Sequence, residues 1–267
     1  YIIVAHNFGD ITPGSTRVDV LPTLGSRIKH KLGIKNPDCV AYDLPFGCPG
    51  WLQGMIQADY YIRSGDAKRI LIIGTETLSR VTDPHDRDSM IYADGSGATI
   101  LEGRITENEG ILAHKTQTHT SAEAYYLYSG GSSNPDLITD DHFIKMDGRK
   151  IYEYALKNVP LVIQQTLDKS GTDVRDIKKV LVHQANGKMD EAILKRLFKM
   201  NGITDTPMDV MPMTIANFGN SSVATVPTLL DMILKNKLDG HQINKGDTVV
   251  FTSVGAGMNI NSMVYRF

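Results

Sequence analysis

Two cysteines, Cys39 and Cys48, are the only thiol nucleophiles that this 267-residue chain could offer. Cys48 stands in the run Phe46-Gly47-Cys48-Pro49-Gly50-Trp51-Leu52, after an apolar stretch and ahead of one with helical spacing. Proline is favoured at the first helical position, where its missing N–H costs nothing. The run therefore predicts Pro49 as that position and Cys48 as the N-cap, where unpaired amides and the helix dipole stabilise an anion. A thiol so placed has a lowered pKa and can attack a carbonyl carbon. The local context fits equally well with a small buried hydrophobe, the ordinary role of a free cysteine. Cys39 has no comparable setting and reads as structural.

His183 and Asn220 are the polar groups best placed to assist such a nucleophile. His183 ends the apolar run Lys-Val-Leu-Val and leads through Gln-Ala-Asn into a helix; in α/β sheets the carboxyl ends of strands are where sites assemble. A neutral imidazole there could donate to a carbonyl or take the thiol proton; a satisfied structural histidine is the alternative. Asn220, in Phe218-Gly219-Asn220-Ser221-Ser222, is either a helix N-cap or an uncharged donor to a carbonyl oxygen. Val254-Gly255-Ala256-Gly257 lets backbone approach a ligand, so an amide there could join the Cys48 N–H in an oxyanion hole.

Bulk properties narrow the field. A formal charge of -2 gives no reason to expect nucleic-acid or membrane binding. Two cysteines are too few for a disulfide framework and fit a reducing, cytoplasmic compartment. No run approaches the ~20 apolar residues of a membrane-spanning helix. Neither ligand spacing for a metal nor a phosphate-binding glycine loop occurs, so neither metal nor resident cofactor is expected. The chain opens on Tyr-Ile-Ile-Val-Ala without an initiator Met, from which an earlier natural start is expected.

The elements that must position these residues alternate between β-branched runs and helix-period segments, the pattern of an α/β layered fold. Strands are expected at 69–74, 97–101, 179–183 and 248–253, and helices at 51–64, 151–170, 188–200 and 225–236. The polar segment 116–141 reads as a lid or crossover. The two halves repeat one plan. In the first, Cys-Val-Ala-Tyr-Asp-Leu leads to Phe46-Gly47-Cys48, a helix, Gly65-Asp66 and a strand. In the second, a strand expected over Met-Asp-Val-Met-Pro-Met (208–213) leads to Phe218-Gly219-Asn220, a helix, Gly246-Asp247 and a strand. A duplication would set Cys48 and Asn220 at equivalent, facing corners.

Taken together, Cys48, His183-Gln-Ala-Asn186 and Gly219-Asn220-Ser221-Ser222, in that order, resemble the β-ketoacyl-acyl-carrier-protein synthase III family of thiolase-fold condensing enzymes. The likeness extends through DLPFGCPGWLQG, DPHDRDSMIYADGSGATIL and VGAGMNINSMVYRF. It implies a layered αβαβα fold of two duplicated halves, 1–105 with Cys48 and 106–267 with His183 and Asn220, the first lacking its opening strand–helix unit. The implied triad is Cys48, His183 and Asn220. Cys48 would take an acyl group from acyl-CoA, with the Cys48 and Ala256 amides as oxyanion hole. Malonyl-acyl-carrier protein would then lose CO2 and attack the acyl-cysteine. By the same likeness Arg87, Gly148 and Asn186 would meet CoA, and Lys188, Lys195 and Arg196 an acidic carrier protein. Leu21 would cross a homodimer interface into the partner's acyl pocket. Pro49, Trp51 and Glu153 depart from the family's usual residues at those positions. Two further readings stand beside condensation: acyl transfer from Cys48 to an alcohol, amine or CoA-bound acceptor, and a non-catalytic partner subunit. Retention of Cys48, His183 and Asn220 together argues against the last.

Overall fold

The computed structural model describes residues 1–267. The first half contains β1 (Ile2–His6), a small hairpin of β2 (Asp10–Ile11) and β3 (Val18–Asp19), α1 (Leu24–Lys31) and β4 (Ala41–Pro45). It continues with α2 (Gly50–Arg63), β5 (Arg69–Thr77) and β6 (Asp94–Glu102). Then follow β7 (Gly110–Thr118), the paired short strands β8 (Leu127–Gly130) and β9 (Phe143–Met146), and α3 (Gly148–Ser170). The remainder is β10 (Ile177–Val182), α4 (Gly187–Met200), the single turn α5 (Ile215–Phe218), α6 (Thr225–Leu234), β11 (Thr248–Gly255) and β12 (Asn259–Arg266).

Two four-stranded sheets result, in the orders β4-β1-β5-β6 and β10-β11-β12-β7. In the first, β1 runs parallel to β4 and β5, and β6 closes antiparallel on β5. In the second, β10 and β11 are parallel and β12 is antiparallel to β11. The equivalence β1/β10, β5/β11, β6/β12 with α2 matched to α6 is the duplication expected from the repeated Phe-Gly-Cys and Phe-Gly-Asn segments. Continuous apolar runs such as Ile70–Ile73 and Val249–Phe251 suit strands covered on both faces.

Helices α2 and α6 form the central layer. Trp51, Leu52 and Met55 of α2 and Val226, Leu229 and Ile233 of α6 share one core with Ile3, Ile72, Leu181 and Phe251 from both sheets. The outer layers are α1 against β1 and β4, and α3 with α4 against the second sheet. The order is thus helix, sheet, two helices, sheet, two helices. No helix is long and apolar enough to cross a membrane.

Two expectations need correction. Met208–Met213 forms no sheet strand; Met208–Val210 is a single 3-10 turn. Pro207 and Pro212 bring no N–H to a ladder, while Lys179 Nζ donates to the Asp209 carbonyl at 2.8 Å and Gln184 Nε2 to that of Pro212 at 2.9 Å. The segment 116–141 is a loop only in part, since Thr116–Thr118 belong to β7 and β8 pairs with β9. Lys145 of β9 anchors it, with Nζ 2.6 Å from Asp83 and 2.9 Å from Asp86. Burial alone would raise the Asp83 pKa, but Lys145 and the Ser133 and His85 amides outweigh it and hold the carboxyl well below the usual range.

The Trp51 and Phe251 rings meet at 6.0 Å with planes tilted 58°, joining α2 to the second sheet. Phe251→Ala should therefore cost about 3–5 kcal/mol in urea unfolding, whereas truncating the fully exposed Ile105 should stay within about 0.5 kcal/mol. Similar losses at the two positions would contradict this packing.

Candidate active site

The turn between β4 and α2 presents Cys48. Gly47 adopts φ +71°, a conformation that favours glycine, and Gly50 N bonds to the Gly47 carbonyl at 2.9 Å. The helix starts one residue later than the sequence predicts: Pro49, not Cys48, occupies the N-cap, and Gly50 is the first helical residue. Across the turn lies the end of β11. A Cβ added at Gly255 would fall 2.8 Å from Cys48 N, and one at Gly47 would fall 3.2 Å from Ala256 N. These close approaches bring the Ala256 amide beside the Gly47–Cys48 turn.

His183 follows the last residue of β10 and prolongs its ladder, with His183 N bonded to the Thr252 carbonyl at 2.9 Å. Its neighbour Gln184, fully buried, accepts from Thr214 N at 2.7 Å and Ile215 N at 2.9 Å, tying down the loop ahead of Asn220. Asn220 is bridged to the segment after Arg87: its N–H donates to the Ile91 carbonyl at 2.8 Å, and its carbonyl accepts from Ala93 N at 2.9 Å. Its Oδ1 accepts from Ser222 N at 2.8 Å, as a cap would. That leaves the amide nitrogen for other work. Ser222, at φ +51°, directs its hydroxyl to Cys48 Sγ at 3.2 Å. Asn7 Nδ2 in turn donates to Ser222 Oγ at 2.9 Å.

Cys48, His183 and Asn220 line one cavity together with Asn7 and Ser222, and apolar groups including Leu78, Tyr92, Ile144, Met146 and Met258 wall the rest. Its chemistry is set by burial. The Cys48 thiol, half-buried where it lines the cavity, is pushed up to about 12 by desolvation and the nearby Glu76 charge, against the lowering effect of Ser222. The sequence expectation of a lowered thiol pKa is therefore reversed. A helix N-terminus contributes up to about 2 kcal/mol, whereas a rise of this size corresponds to roughly 4 kcal/mol, so desolvation wins. His183 is pushed down to about 4 by burial, partly offset by the Ser222 carbonyl, and is neutral at neutral pH. The thiol's hydrogen-bond partner is Ser222, not His183.

The remaining predicted residues lie outside this constellation. Arg87 is exposed, and Gly148 opens α3 near Asp88. Asn186 caps α4, accepting from Lys188 N at 3.1 Å and Met189 N at 3.3 Å, so its oxygen is already engaged. The neighbours Met146, Ile151, Ala185 and Met189 line the cavity instead. Lys188, Lys195 and Arg196 are exposed on α4, with Lys195 3.9 Å from Glu191. Leu21 is 86% exposed before Pro22 and does not reach the Cys48 cavity of its own chain. No group of three or more His, Cys, Asp or Glu side chains could hold a metal ion. No separate role was legible in the sequence for Ser222, Gln184, Asn7 or Glu76; Ser222 and Gln184 lie inside the Gly-Asn-Ser-Ser and His-Gln-Ala-Asn motifs, whereas Asn7 and Glu76 lie in neither.

Comparison with known proteins gives one consistent answer. The family model for 3-oxoacyl-[acyl-carrier-protein] synthase III matches residues 42–120, and that for its C-terminal part matches residues 167–267. The β-ketoacyl-[acyl-carrier-protein] synthase III of Erythrobacter litoralis is 31% identical over 259 residues, 96% of this chain and 74% of that protein. The one from Sphingopyxis alaskensis is 32% identical over 262 residues, 96% of this chain and 75% of that protein. Among solved structures, β-ketoacyl-[acyl carrier protein] synthase III from Thermus thermophilus superposes with a TM-score of 0.82 at 27% identity, covering all of this chain and 76% of that one.

The His183 environment makes a prediction about stability. Because its folded pKa lies below the unfolded value near 6.5, the unfolded chain binds a proton between pH 6.5 and about 4 that the folded chain refuses. His183 thus favours folding above that window and loses this contribution as pH falls through it. Urea unfolding at pH 7 and pH 4.5 should show wild type losing more stability than His183→Asn, by on the order of 2–3 kcal/mol. Equal losses would mean that His183 titrates normally.

Proposed function

The chain belongs to the 3-oxoacyl-[acyl-carrier-protein] synthase III family, and from that premise we propose how the cavity around Cys48 performs the family's condensation. The reaction is the decarboxylative Claisen condensation of an acyl-CoA with malonyl-acyl-carrier protein, giving 3-oxoacyl-acyl-carrier protein, CO2 and CoA. Its place is fatty-acid or related biosynthesis.

Cys48 sulfur attacks the thioester carbonyl of acyl-CoA; the C–S bond to CoA breaks, and the proton lost by Cys48 ends on the CoA sulfur. The Cys48 and Ala256 amides, brought together by the Gly47 and Gly255 approaches, hold the oxyanion. In the second step the thioester carbonyl of malonyl-acyl-carrier protein accepts hydrogen bonds from the Asn220 amide nitrogen and the neutral His183 ring. Loss of CO2 leaves the electron pair as an enolate on that oxygen. Its carbon attacks the acyl-Cys48 carbonyl and expels the Cys48 thiolate, which regains a proton. Uncharged donors suit this task because they stabilise the developing charge without first forming an ion pair. One observation carries the assignment: Cys48 and both donors open on a single cavity that is apolar beyond them, Asn7 and Ser222, with Asn220 oriented through its oxygen.

The surface assignments follow from position. Lys188, Lys195 and Arg196 offer exposed positive charge on α4 to an acidic carrier protein, and Arg87 is exposed to meet CoA near its adenine. Leu21, projecting from its own chain, suits insertion into a second copy in a homodimer.

Wild type supplied with acyl-CoA and malonyl-acyl-carrier protein should release CO2 and form the 3-oxoacyl product. Asn220→Ala should still acquire the acyl group yet lose CO2 release by roughly a hundredfold or more. An Asn220→Ala protein unable to acylate would refute its assigned role. Wild type that acylates but never consumes malonyl-acyl-carrier protein would refute condensation.

A further inference from the structure

Glu76 is a carboxyl that the condensation mechanism leaves unused. It lies on β5, is 5% exposed, and has no cationic partner. Its Oε1 accepts from Asn7 N at 2.9 Å and from the Asn7 side-chain amide. The same Asn7 Nδ2 donates to Ser222 Oγ at 2.9 Å, and Ser222 Oγ donates to Cys48 Sγ at 3.2 Å. An unbroken line of hydrogen bonds therefore joins a buried carboxyl to the nucleophile through two uncharged side chains. Its members come from the residue after β1, the middle of the first sheet, the turn before α6 and the turn before α2. Ser222 is held at φ +51°, a region that costs energy for any residue but glycine and persists only when its surroundings fix it.

The other ionisable groups around Glu76 are already committed or uncharged. His6 of β1 is paired with Asp43 at 3.0 Å, and Asp94 of β6 accepts from Ser79 N and Oγ. Tyr92 and Cys48 are raised by burial, and His183 is neutral. Desolvation pushes Glu76 up to about 8, against the lowering effect of its Asn7 hydrogen bonds. Its charge, once formed, opposes a thiolate on Cys48.

We propose that Glu76 is a positioning residue whose ionisation, transmitted by field and through Asn7 and Ser222, sets the availability of the Cys48 thiolate, and that acylation draws on the state with Glu76 neutral. This rests on Cys48 being the acyl-carrying residue. The two groups titrate as a pair. Below about pH 8 the thiolate with neutral Glu76 grows as protons leave. Above it the pair has lost one proton, chiefly from Glu76, and the reactive tautomer holds a fixed share until the second proton leaves.

Iodoacetamide alkylation of Cys48, followed by peptide mass mapping from pH 6.5 to 9.5, tests this on the full chain. The wild-type rate should rise about tenfold per pH unit and then bend to a shallower slope near pH 8. Glu76→Gln keeps an oxygen for Asn7 but cannot ionise; its rate should continue to rise without a break and exceed wild type several-fold at pH 9.5. Glu76→Asp should restore the break. A wild-type profile with no break, or a Glu76→Gln profile with the same break, would overturn the proposal; the first of these outcomes needs no folded variant. Alkylation needs no CoA, so a missing break with intact acyl transfer refutes this inference alone. A clear break without acyl transfer refutes the function instead.

Discussion

The approach of Gly255 to Cys48 is the contact on which the site depends. A side chain at 255 would collide with the backbone and Cβ of Cys48, so the end of β11 and the mouth of α2 can meet only across a glycine. That meeting joins the first half to the second and sets the Ala256 amide beside the nucleophile. It also ties the site to the packing of the central layer. Trp51 and Phe251 pack immediately behind the turn, and any slip between the sheets would separate nucleophile from amide.

Burial, rather than a set of charges, defines the chemistry inside. The same desolvation raises the thiol, raises Glu76 and neutralises His183. A resting thiol kept protonated by its surroundings is protected from adventitious electrophiles, and neutral donors at His183 and Asn220 leave no permanent ion to compete with a developing enolate. The cost is that acylation must work against an unfavourable thiolate. In the proposed reaction the Ser222 hydroxyl faces the thiolate, and the Cys48 and Ala256 amides take the charge once it reaches the carbonyl oxygen.

Much of this was legible in the residue order. Runs such as Arg69–Gly74 and Thr248–Ser253 read as strands because both faces are covered, and Phe-Gly-Cys and Phe-Gly-Asn marked the two duplicated corners. What escaped depended on three-dimensional partners. Met208–Met213 carries a strand-like pattern, but its carbonyls are taken by Lys179 and Gln184 side chains. Asn186 belongs to a motif suggestive of ligand contact, yet its oxygen caps α4. The Cys48 pKa could not be read from a helix start, because burial by residues far along the chain opposes the helix. Glu76 and Asn7 lie 69 residues apart and carry no local pattern linking either to Cys48.

The account turns on Cys48 as the residue that holds the acyl group. Its most direct measurement is intact mass followed by peptide mapping after brief incubation with a short-chain acyl-CoA and no second substrate. A single acyl mass should appear on the peptide containing Cys48, leave the Cys39 peptide unmodified, and vanish in Cys48→Ala. Acylation at Cys39, or none at either cysteine with any acyl-CoA, would contradict it.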